Sequence, residues 1–74
     1  MDNYKKCVFV VSLIEAGQKV YFVREEITPI EIKGYFSIDL VQAKKFINKE
    51  VAEIIASAYK GAGVECIKEG ERLK

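Results

Sequence analysis

The hydrophobic period of this chain changes once, at Asp39. Before it, Ile30, Ile32, Gly34, Phe36 and Ile38 alternate with Glu31, Lys33, Tyr35 and Ser37, the two-residue period of a strand with one dry face. After it, Leu40, Ala43, Ile47, Val51, Ile54, Ile55, Ala58 and Ala62 recur at three- and four-residue steps, a helical stripe with Ile54 at its centre. Strands first and one helix later restrict the chain to an α+β arrangement, a sheet with a helix on one face.

Two further strands precede the alternating one. Residues 6–15 are rich in β-branched and apolar side chains, "EAGQK" carries a turn signal, and 19–27 ("KVYFVREEI") completes a hairpin. A three-residue loop of Ala16, Gly17 and Gln18 pairs Glu15 with Lys19, Leu13 with Tyr21, Val11 with Val23 and Cys7 with Ile27. A two-residue Gly-Gln loop would instead set Val11 against Arg24, a poorer match. "TP" at 28–29 ends the second strand, and Gly34 marks a bulge or a close backbone approach in the third.

Asp39 is suited to cap the helix, and Asn48 to cap a second one, so the helix is expected either continuous or broken near Asn48. Gly61 or Gly63 stops it, Val64 to Lys68 forms a last strand, and 68–74 is expected to fray. The expectation is one domain over 1–74, β-β-β-α-β, with a four-stranded mixed sheet in the order 3-2-1-4 and the last strand parallel to the first.

The run "CVFVVSLI" (7–14) is apolar on both faces apart from Ser12. With Cys7, Phe9, Val11 and Leu13 on the helix, Val8, Val10, Ile14, Val20 and Phe22 are left on the other side, with Arg24 beside them. Fully burying each such apolar group contributes roughly 1.5–3 kcal/mol. This set, Arg24 included, is therefore expected to be the interface of a homo-oligomer packed sheet against sheet.

Chemistry is harder to find. Histidine is absent, which removes the commonest neutral-pH acid–base and metal ligand. "KGAG" at 60–63 follows a helix and lacks phosphate-loop spacing, so it reads as a helix stop. No catalytic, cofactor-binding or metal-binding residue is expected. Twelve basic against eleven acidic residues leave +1 and a pI near 7.7, without the basic excess typical of nucleic-acid modules. The N-terminal apolar stretch is too short for a signal peptide, and no run approaches the roughly 20 apolar residues of a membrane span. A cytoplasmic location is expected, with Cys7 and Cys66 close together but reduced.

The segment "YFSIDLVQAKKFINKEVAEIIASAY" (35–59) joins a strand ending in Phe-Ser, an Asp-Leu cap, Ala-Lys-Lys-Phe and a Lys-Glu-x-Ala-Glu helix. It resembles a pattern in small phage and prophage proteins of Gram-positive bacteria. The resemblance spans about a third of the chain and transfers no functional residue. It implies a small intracellular accessory protein, with inhibition of host defence among the roles in that group. The expected function is a non-enzymatic interaction module, self-associating through the apolar sheet face, with a host or phage protein as a further partner. The alternatives are an oligomer binding a small ligand or nucleotide between subunits, and a nucleic-acid-binding protein.

Overall fold

The computed structural model describes residues 7–68. In chain order these form β1 (Cys7–Glu15), β2 (Gln18–Ile27), β3 (Ile32–Ser37), one 3₁₀ turn (Leu40–Gln42), α1 (Lys49–Ser57) and β4 (Gly63–Lys68). The expected element order and the strand order 3-2-1-4 are both present. The sheet, however, is antiparallel throughout: β4 runs against β1, and the mixed sheet is corrected. Lys68 closes β4, and the rest of the expected frayed tail lies outside the described residues.

The reversal of β4 comes from the segment before α1. Instead of continuing as helix, residues 43–47 are irregular, and Phe46 makes an isolated antiparallel bridge to Phe9 of β1. Phe9 and Phe46 exchange both backbone hydrogen bonds at 2.8 Å, and the Lys44 N–H donates to the Phe22 carbonyl at 2.9 Å. Space exists there because β1 and β2 pair only from Ser12–Tyr21 to Glu15–Gln18 and then part. The inserted segment satisfies backbone groups the splayed strands would leave bare. Two crossings rather than one separate β3 from β4, so β4 ends antiparallel.

Both anticipated caps form, on different elements. The Asp39 carboxylate accepts from the Val41 N–H at 2.9 Å and starts only the 3₁₀ turn. The Lys45 ammonium then donates to the carbonyls of Leu40, Val41 and Ala43, which closes that turn. Asn48 Oδ1 accepts from the Glu50 N–H at 2.8 Å and starts α1.

That late start changes the helical phase. Ala52 and Ala56 face the sheet, with Ile55 and Tyr59 alongside, and Ile54 is 68% exposed. The expectation that Ile54 centres the core stripe is therefore corrected. Two alanines let the helix approach closely, while the sheet side supplies the bulk. Phe22 sits 5.7 Å from Phe36, 6.3 Å from Phe46 and 5.9 Å from Tyr59, centroid to centroid.

The first hairpin turns on two residues, Ala16 and Gly17, with φ of 53° and 79°. Such a turn matches the twist of antiparallel strands. It pairs Glu15 with Gln18 and Ser12 with Tyr21, one residue away from the expected register. A one-residue slip moves every side chain of the partner strand to the other face. Val20 and Phe22 consequently join Val11 on the helix side, and Lys19 and Tyr21 take the opposite one.

Cys7 and Cys66 are corrected as well. Cys66 pairs with Phe9, which places the two cysteines diagonally on one face of neighbouring antiparallel strands. Their Cα atoms are 5.9 Å apart and the sulfurs are joined in a disulfide. Such bonds persist in oxidising compartments and are rare in the cytosol, which weighs against the cytoplasmic expectation.

Candidate interaction surface

The six side chains expected to form an interface do not lie on one face of the sheet. Val8 and Val10 lie opposite the helix but are 7% and 0% exposed within the single chain. Val20 and Phe22 are buried on the helix side. Ile14 remains open at 64%, and Arg24 is exposed with its guanidinium 4.2 Å above the Tyr35 ring. On the same side as Val10, the Glu65 carboxylate accepts from the buried Ser12 hydroxyl at 2.8 Å and pairs with Lys19. This link spans β4, β1 and β2. Contact with Lys19, then with Ser12, holds the Glu65 carboxyl below its usual range; the bond to Glu65 raises Lys19 in turn.

The open apolar surface lies elsewhere, on the part of the hairpin beyond a bulge. Register shifts between Phe22 and Arg24, after which Arg24 to Ile27 pair with Tyr35 to Ile32 as an arm. Gly34 sits where this arm crosses the end of the helix. A Cβ there would stand 2.5 Å from the Tyr59 hydroxyl and 2.8 Å from its ring, so only glycine lets the ring lie against the strand. The close approach expected at Gly34 is found, and the bulge falls on β2. The Tyr59 hydroxyl donates to Glu25 at 2.7 Å; partial burial and then this bond push its pKa up to about 12.

Past Tyr59 nothing in α1 covers the arm. Ile27 and Ile32 are cross-strand partners on the helix side of the sheet, 72% and 62% exposed, and Ile30 at the tip is 90% exposed. Between arm and helix runs an open cleft of about 320 Å³ lined by Phe22, Arg24, Glu25, Lys44, Phe46 and Ile55. One helical step outward from Ile55, Val51 and Ile54 continue the apolar surface, with Ile47 exposed just before the helix.

Sequence reasoning missed this surface because it assigned Ile47, Val51 and Ile54 to the core and Ile27 to a covered strand. The threonine–proline break after Ile27 was the signal that the arm stands free at its tip. Among the described residues no cluster of three metal-ligating side chains occurs, and no described helix is long and apolar enough to cross a membrane. No protein-family model, curated protein or solved structure matches the chain.

Proposed function

We propose that this chain is a small non-enzymatic interaction module that self-associates through the apolar surface carried by its arm and by α1. The observation that carries the reading is the exposure of Ile27, Ile30 and Ile32 on the arm together with Ile47, Val51 and Ile54 at the helix. Small domains bury a limited share of their surface, and large apolar side chains left open in number on a monomer commonly serve a contact. Polar side chains of the arm and of the opposite sheet face are already engaged with one another. Glu25 is held by Tyr59, Glu26 by the Tyr35 hydroxyl, and Ser12, Glu65 and Lys19 hold one another.

The interface first expected on the sheet is moved, since Val8 and Val10 are already covered and Phe22 is spent on the core. Sedimentation velocity from micromolar to near-millimolar protein tests the reading. The expected result is a shift from the 8.4 kDa chain toward twice that mass. A single 8.4 kDa species throughout contradicts it. A second reading, a site for an anionic small molecule, draws on the same cleft, whose volume is within the range of ligand pockets and whose rim carries Arg24 and Lys44. Thermal stabilisation by members of a nucleotide and phosphate panel would favour it.

A further inference from the structure

We infer that the Cys7–Cys66 disulfide is a site of thiol–disulfide exchange in the folded domain, attacked at the Cys66 sulfur by a small soluble thiol. The redox state of the surroundings thereby sets the stability of the fold. Exposure, direction and the position of the bond relative to the core carry the inference.

Cys66 is exposed and Cys7 is half-buried, so the bond lies at the surface. The cover ends within β4 itself. Val64 packs against the aromatic core, whereas Cys66, two residues along on the same face, is open to solvent. Exposed disulfides are the readily reduced ones, and access decides which sulfur is attacked.

An entering thiolate approaches in line with the bond that breaks. This bond runs obliquely from β1 out to β4, an edge strand with no further strand beside it among the described residues. The line continued past Cys66 therefore leaves the sheet into solvent. Continued past Cys7, it passes over β1 toward the segment that bridges Phe46 to Phe9 and leads into α1. Cys66 is the sulfur within reach, and Cys7 is the leaving group. The thiolate forms a mixed disulfide with Cys66, and Cys7 departs as a thiolate that takes up a proton. The second thiolate of a dithiol then displaces Cys66 in the same way. Two electrons pass to the protein, which gains two thiols, and the dithiol ends as its own disulfide.

The bond joins the first residue of β1 to β4 across a sequence separation of 59. Neither cysteine belongs to the core cluster of Val11, Phe22, Phe46, Ala52 and Ala56. Reduction therefore frees the unfolded chain of a long closed loop while leaving the core contacts as they are, and the cost appears as lost stability.

The test uses the full oxidised chain, with dithiothreitol as the dithiol, glutathione as the monothiol, and folding followed by circular dichroism. Thiol release by dithiothreitol is expected to proceed at a rate nearly flat across low urea, because no global unfolding precedes it. After brief exposure to glutathione and an acid quench, peptide mass spectrometry should place the adduct on Cys66. Full reduction should lower the thermal midpoint by roughly 10–30 °C. A reduced chain already unfolded before heating is that same effect at its upper limit. A release rate that climbs with urea as steeply as global unfolding does overturns exchange in the folded state. An adduct found mainly on Cys7 overturns the assignment of the attacked sulfur. An unchanged midpoint after reduction overturns the control of stability, and two free thiols before any reductant is added overturn the whole inference.

Discussion

Phe22 and Ile27 belong to the same strand and face the same side of the sheet, yet Phe22 is 3% exposed and Ile27 is 72% exposed. Five residues separate a core from an open surface. The body around Phe22 is closed by three things that the arm lacks. A helix lies over it on Ala52 and Ala56, a second backbone segment plugs the gap beside β1, and a disulfide ties β1 to β4. The arm has only the Tyr59 clamp at its base. The comparison teaches that strand hydrophobicity sets what can be buried, while the reach of the single helix sets what is.

The sharpest way to break the comparison is to truncate one large apolar side chain of β2 in the body and one in the arm. Phe22→Ala is expected to cost about 3–5 kcal/mol, enough to threaten so small a domain, whereas Ile27→Ala should stay within about 0.5 kcal/mol in the monomer. Urea unfolding measures both, and equal losses would mean the arm is covered after all. Replacing Cys7 and Cys66 together by serine removes a link across 59 positions and should cost about 2–4 kcal/mol. Two titratable thiols in unfolded, non-reduced protein would contradict the bond itself.

Gly34→Ala probes the junction between the two regions. Its added methyl must displace Tyr59, at about 1–3 kcal/mol, and should free the arm without melting the body. The smallest effect belongs to the ion pair across β4, β1 and β2. Because Glu65 is held below its usual pKa of 4.5, its contribution is present above that value and fades as pH falls through its lowered folded pKa. Glu65→Gln should flatten the acid limb of the stability–pH curve, and an unchanged limb would show the Lys19 and Ser12 contacts to be idle.

Much of the body could be read from residue pattern alone. The alternation from Ile30 to Ile38, the caps at Asp39 and Asn48, and the strand order all follow local rules. The failures arise where a distant partner overrides a local one. Leu40, Ala43 and Ile47 prolong the helical stripe and no proline or glycine interrupts it, so only the pairing of Phe46 with Phe9 explains why the helix waits until Lys49. The hairpin register was missed because its turn places Ala16, a residue with a Cβ, at positive φ, which local preference discourages. That one-residue difference moved Val20 and Phe22 to the helix side and took the expected interface apart.

Amide hydrogen exchange at low and high protein concentration tests the central claim most directly, since it reports body and arm in one experiment. The account predicts that protection rises with concentration in residues 25–32 and 47–58, while residues 8–12 are strongly protected at both concentrations. Protection independent of concentration in the arm and α1, or a concentration-dependent rise confined to β1, would contradict it.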